Sequence, residues 1–217
     1  MAARVITVAQ QKGGAGKTTL AAHLGVCWAG QGRRVALIDI DPQGSLTTWY
    51  RLRNGHGTSA ITHCAVSGWR AASEVDRLRR DHDVVVIDSP PHAETEAKIA
   101  IRAAELLVVP VQLSPMDLWA TRPTLQIAEG ERRPWLLVLN RVPPRGSLSD
   151  VIRHKIAEQR LPVAGASLGN RTLFASSLMD GMGVTEAAPS SIAAAEIVAL
   201  ADELALRLGL WPAPHHS

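Results

Sequence analysis

The ten residues Gln10-Gln11-Lys12-Gly13-Gly14-Ala15-Gly16-Lys17-Thr18-Thr19 constrain the fold of this chain more than any other stretch. A short apolar run, Val5-Ile6-Thr7-Val8-Ala9, precedes them, and an alanine-rich segment of helical character, Leu20 to Ala29, follows. Strand, glycine loop and helix in that order are the context in which such a pattern is a phosphate loop. Glycines let consecutive backbone N–H groups turn toward one polyphosphate, and the helix that follows adds its positive end. On this reading Gly13, Gly14, Ala15, Gly16 and Thr19 cradle the phosphates. Lys17 reaches the β- and γ-phosphates as a point charge, and the Thr18 hydroxyl ligates Mg²⁺.

The loop departs from the usual G-x-x-x-x-G-K-T pattern at its start, where Gln11 replaces the first glycine and Lys12 follows it. With Lys12-Gly13-Gly14-Ala15-Gly16-Lys17-Thr18-Thr19 the chain resembles the deviant Walker A ATPases, the ParA and MinD family. The resemblance implies ATP and Mg²⁺ as cofactors and slow, partner-stimulated hydrolysis to ADP and phosphate. It also implies a homodimer when ATP is bound, in which Lys12, the signature lysine, crosses the interface to the partner's nucleotide. A cation supplied by the other chain makes dimerisation depend on the γ-phosphate.

Two apolar runs end in acids. Val35-Ala36-Leu37-Ile38-Asp39 leads into Asp39-Ile40-Asp41-Pro42-Gln43-Gly44, and Val84-Val85-Val86-Ile87-Asp88 leads into Ser89-Pro90-Pro91-His92. Buried parallel strands present side chains at their carboxyl ends in this way. Asp-Pro-Gln-Gly is also good turn chemistry. The D-x-D-P-Q run is similar to the family's second motif, which implies that Asp41 orients the attacking water and that Asp39 helps hold the Mg²⁺ region. The second strand has the form of a Walker B strand, with Asp88 holding Mg²⁺ through water. In the family the turn at His92 is a switch loop.

Further apolar runs at Leu106–Val111 and Trp135–Asn140, and a short one at Val163–Leu168, alternate with helical segments. Ser114-Pro115 starts a helix, and Ser190 is expected to cap the last one, Ile192 to Leu208. Alternation of this kind specifies an α/β fold: a doubly wound, mostly parallel sheet with helices on both faces. The expected organisation is one domain over residues 1–211 with a short tail, 212–217. By resemblance Asn140 reads the adenine edge, although a strand-end asparagine also suits a turn, and Pro189 flanks the adenine pocket. Gly169-Asn170-Arg171-Thr172 and Gly181-Met182-Gly183-Val184-Thr185-Glu186 are similar to a stretch that precedes the terminal helix of small ParA proteins. That likeness makes Arg171 the first choice for a DNA phosphate contact. Arg145, Arg153 and Lys155 are companions that fit a solvated basic face equally well.

Composition narrows the alternatives. A chain of 217 residues, 46% hydrophobic, suits one large domain with a sizeable core. The net charge of +3 with a pI near 9.2 is compatible with a polyanionic partner but does not localise one. Of four lysines, two lie in the phosphate loop. Cys27 and Cys64 match no metal or redox spacing. With no leader, no membrane-length apolar run and no segment ahead of the first strand, the expected location is cytoplasmic and nucleoid-associated when ATP-bound, without operator-specific binding. The expectation is thus a ParA-like ATPase that binds DNA without sequence preference, positions a cargo and answers to an adaptor protein. A MinD-like ATPase on a membrane is one alternative; Ala199–Leu210, with one arginine and two acids, lacks the basic face that role requires. A metabolic ligase or kinase on the same loop is the other.

Overall fold

The structure, a computed structural model, describes residues 2–53, 60–91, 94–144 and 147–210, and side chains throughout these except at 147–149. Arg145, His56, His92 and the tail 212–217 lie outside the described residues. Six parallel strands form the sheet: β1 (Arg4–Val8), β2 (Val35–Asp39), β3 (Ile61–Ala65), β4 (Val84–Asp88), β5 (Leu106–Val111) and β6 (Trp135–Leu139), in the order β3-β2-β4-β1-β5-β6. Strands β2, β4 and β5 are buried at every position, the reason they read as unbroken apolar runs. The register sets Asp88 beside both Val8 and Asp39, so the phosphate loop and two acids leave the sheet together. The chain order reverses around β1, and such a point is where ligands of open α/β sheets bind.

Helices cover both faces: α1 (Lys17–Gly30), α2 (Ser45–Arg53), α3 (Ala71–Leu78), α4 (Glu94–Ala103), α5 (Pro115–Gly130), α6 (Ser147–Glu158), α7 (Leu173–Met179), α8 (Val184–Ala187) and α9 (Ile192–Arg207). Helix α1 is apolar nearly all round because it is sandwiched. Leu20, Leu24 and Trp28 pack with Leu37, Val86, Ile197 and Leu204 in one core cluster, and the Trp28 indole donates to the Ala201 carbonyl at 3.2 Å. The opposite face is built by α3 to α6 through Val75, Ile101, Leu125 and Ile152.

Two local expectations need correction. The expected strand at 163–168 is replaced by two isolated bridges, Leu137 with Val163 and, just beyond its end, Val142 with Gly169. The Ala166 amide between them turns away to the Glu203 carboxylate at 3.1 Å, which interrupts the ladder. The last helix is capped by Ser191, whose hydroxyl accepts from Ala194 N–H at 3.1 Å, and not by Ser190. Helix α2 carries only Leu46, Trp49 and Arg53 as buried positions.

Candidate nucleotide site

The phosphate loop joins β1 to α1 and turns through two left-handed glycines, Gly14 (φ 76°) and Gly16 (φ 91°). At Gly16 a side chain is excluded twice over, since a Cβ there would lie 2.5 Å from the Asn140 amide nitrogen. That amide donates to the Ala15 carbonyl at 2.8 Å, while its oxygen accepts from Arg141 N–H at 2.9 Å. Asn140 therefore straps the end of β6 to the loop. These bonds use one donor and one acceptor position of the amide, and Asn140 also lines a cavity beside Gly16.

At the inner end of the loop, Thr18 Oγ1 donates to Asp88 Oδ2 at 2.6 Å. Asp88 is fully buried, and its Oδ1 has no hydrogen-bond partner among the described residues. Burial pushes its pKa up to about 7; the Asp39 charge adds to this, and the Thr18 hydrogen bond and the Lys17 charge oppose it. Lys17 is buried as well, and burial lowers its pKa against the charges of Asp88 and Asp41. A buried acid with an orphaned oxygen beside a buried ammonium is unfavourable as it stands. An anion at Lys17 and a divalent cation at Asp88 Oδ1 would relieve it. The donor set of one hydroxyl and one carboxylate, all oxygen, suits Mg²⁺, which retains waters and completes its shell with phosphate oxygens.

Asp39 has a structural task besides the one expected. Its Oδ1 accepts from Asp41 N–H at 3.0 Å, and its Oδ2 from the Thr47 amide at 2.9 Å and hydroxyl at 2.7 Å. These bonds employ both oxygens, so Asp39 also holds the loop on which Asp41 stands. Asp41, half-buried, accepts from Gln43 N–H at 2.9 Å.

The outer lip of the loop is braced by α5 and by Gln112, which precedes it. Lys12 Nζ pairs with Asp117 at 2.8 Å, Gln11 N–H donates to Thr124 Oγ1 at 3.2 Å, and the Gln112 amide donates to the Gly14 carbonyl at 3.3 Å. On the other side, a cavity of about 340 Å³ opens beside Gly16, Thr19 and Leu20 and is walled by Asn140, Leu168, Gly169, Arg171 and Phe174. Its floor includes His23, which is buried and held by Phe174 O (2.9 Å from Nε2) and Val184 N–H (3.1 Å from Nδ1). An apolar cavity with a few converging polar groups, continuous with a phosphate loop, is shaped for a nucleoside.

Residues 6–184 match the CobQ/CobB/MinD/ParA nucleotide binding domain. The chain belongs to that family. Among relatives of this CobQ/CobB/MinD/ParA chain, the maintenance of carboxysome distribution protein A of Halothiobacillus neapolitanus is 29% identical over 185 residues, 82% of this chain and 85% of that protein. In fold the chain is similar to the ATP complex of a Cyanothece McdA variant (TM-score 0.76, 19% identity, covering 98% of this chain and 99% of that one). It is also similar to the cobyrinic acid a,c-diamide synthase of Mycobacterium smegmatis with a bound ATP analogue and magnesium (TM-score 0.76, 23% identity, 94% of each chain).

Two expected site residues of this CobQ/CobB/MinD/ParA chain stand elsewhere than the sequence suggested. Arg171 does not offer a free cation to DNA: its guanidinium is gripped by Glu196 at 2.6 and 3.0 Å and walls the cavity. Pro189 is exposed and not among the residues lining the cavity. Arg153 and Lys155 lie exposed on α6. Sequence reasoning missed Asp117 and Glu196. The first had a signal, since Ser114-Pro115-Met116-Asp117 places an acid where it can bond back to its own cap; the second is a lone acid in an alanine-rich helix and had none.

The Gly181-to-Glu186 stretch acquires a structural reason. Glu186 takes the Arg53 guanidinium in two bonds of 2.8 Å and accepts from Gly183 N–H at 3.1 Å. It thereby ties α2, the helix after the Asp41 loop, to α8.

Proposed function

We propose that the chain is a ParA-like ATPase that uses the nucleotide state to position or segregate a cargo. The observation that carries this reading is the Thr18–Asp88 contact of 2.6 Å with Asp88 Oδ1 left open, next to buried Lys17. Together they supply a hydroxyl and a carboxylate for Mg²⁺ and a cation for the phosphates of ATP. Bound there, Mg²⁺ supplies charge neutralisation at the β- and γ-phosphates. The chain's own groups do the rest: backbone amides from Gly13 to Thr19 hold the phosphates, and Lys17 gathers the charge that develops on transfer. Asp41, on a loop clamped by Asp39, aligns a water for attack. Positioning and electrostatics dominate such phosphoryl transfer, so no strong base is needed.

Lys12 on the outer lip suits a second task, contact with the nucleotide of a second copy in an ATP-dependent sandwich dimer. The dimer binds DNA without sequence preference through doubled phosphate contacts, with Arg153 and Lys155 as contributors and Arg145 as a further candidate. An adaptor protein stimulates hydrolysis and release. Similarity to a carboxysome distribution protein favours a protein assembly as cargo over a plasmid or chromosome region. A membrane role has less support: among the described residues no helix is long and apolar enough to cross a membrane, and the apolar face of α9 is spent on α1.

The test is binding to a non-specific duplex with ATP or ADP over a salt series, for wild type, Lys12→Ala and Arg153→Ala/Lys155→Ala. Expected are ATP-dependent binding, its loss in Lys12→Ala, and a salt slope flattened by about one per phosphate contact removed from each chain. Equal binding in ATP and ADP would overturn the reading and favour metabolic chemistry on the same loop.

A further inference from the structure

The wall of the cavity beside the phosphate loop is a short segment, Leu168 to Thr172, joined to the end of β6 only by an isolated bridge and the bonds of Leu168 and Asn170 to Leu139 and Val142. Beyond those backbone bonds, one carboxylate from another element grips it from the side of Gly169 and Arg171. Glu196, on α9, accepts from the Gly169 amide at 3.0 Å and from Arg171 Nε at 3.0 Å on one oxygen, and from Arg171 Nη2 at 2.6 Å on the other. Gly169 permits this closeness: a Cβ there would stand 3.0–3.1 Å from the guanidinium. A guanidinium held by two parallel bonds is a fixed plane, in contrast to the mobile head of an unpaired arginine. Arg171 lines the same cavity as Gly16 and Thr19, which belong to the phosphate loop and its helix.

We propose that Glu196 is a positioning residue for the nucleobase: acting through Arg171 and Gly169, it fixes the cavity wall against which the base of ATP packs. This rests on the reading above that ATP is the ligand, and it adds where the base lies and what orders its surroundings. Arg171 accordingly works on the nucleotide side of the molecule. A planar cation beside a base offers stacking, which every purine accepts, and its Nη1 N–H groups are not used by Glu196. Affinity for the base is then gained because the wall is ordered before the ligand arrives.

The experiment compares the affinities of Mg-ATP and Mg-tripolyphosphate, a probe with the phosphates and no base, for wild type, Glu196→Gln, Arg171→Met and Ala175→Trp. Ala175 lines the cavity and is exposed, so a tryptophan there narrows the cavity with little strain on the core. Expected is about a tenfold loss of ATP affinity in Glu196→Gln and Arg171→Met, with tripolyphosphate affinity kept within about twofold. Thermal unfolding of each variant is recorded alongside. Equal losses for both probes would make Glu196 a structural tie alone and overturn the proposal, as would no loss for either. If Ala175→Trp leaves ATP affinity intact, the base lies outside this cavity and the placement itself falls. If Ala175→Trp weakens ATP while Glu196→Gln does not, only the positioning role of Glu196 falls.

Discussion

Lys12 Nζ lies 2.8 Å from the carboxylate of Asp117, within its own chain. The two partners are unlike: Lys12 is 39% exposed, whereas Asp117 is 8% exposed. Asp117 is further anchored by Ser114, whose hydroxyl donates to its carboxylate and accepts from its amide at 3.1 Å. A lysine so held must leave a nearly buried acid behind before it can reach another chain, and an acid left buried and unpaired is costly.

Asp117→Asn is therefore expected to strengthen ATP-dependent self-association by several-fold to about tenfold, since about 1 kcal/mol is the scale of a half-exposed pair. Sedimentation with a non-hydrolysable ATP analogue measures it. An unchanged dissociation constant, with wild type dimerising normally, would show that the pair opens without penalty.

Asp88→Asn separates stability from function. Asparagine still accepts from Thr18 but removes a buried charge whose Oδ1 is orphaned. The nucleotide-free variant should unfold at the same or a higher temperature at pH 8, while the Mg²⁺ dependence of ATP binding and turnover collapses. A variant that loses stability and keeps Mg²⁺-dependent turnover would contradict this assignment.

The Arg53–Glu186 pair is 3% exposed on the arginine side and 18% on the glutamate side. Glu186→Ala leaves a buried guanidinium short of its carboxylate and should cost about 3 kcal/mol. For a domain of this size that is roughly a 10 °C fall in Tm by calorimetry. A fall of only a degree or two would mean that solvent reaches Arg53 readily.

His23 carries a pH signature. Burial lowers its pKa to about 4, against the bond to Phe174 O. Because the folded value lies below the unfolded one, near 6.5, the unfolded chain takes up the proton first. Stability from this group is whole above about pH 6.5 and declines as pH falls toward about 4, by about 3 kcal/mol in all. Asp88, with its raised pKa, works in the opposite direction over the same window when no nucleotide is bound. The readout is accordingly the difference between wild type and His23→Gln in denaturant melts. That difference should shift in favour of the variant between about pH 6.5 and 4, and a constant difference would refute it.

The phosphate loop, the apolar strands and the acids at their ends were legible in the sequence because each is encoded locally. A glycine pattern needs only its own neighbours, and a strand buried on both faces must be apolar throughout. Lys17, Thr18, Asp41 and Asp88 were singled out in this way as candidates, and the order of elements implied the parallel sheet. Tertiary structure alone decided what the long side chains do. Arg171 reads as a surface cation until α9 brings Glu196 to it, and Lys12 reads as free until α5 brings Asp117. Asp39 reads only as an acid near the Mg²⁺ region, and its bonds to Thr47 appear once α2 is in place. Partners far apart in sequence leave no period or spacing, and an ion pair is visible only when the fold has placed both its halves.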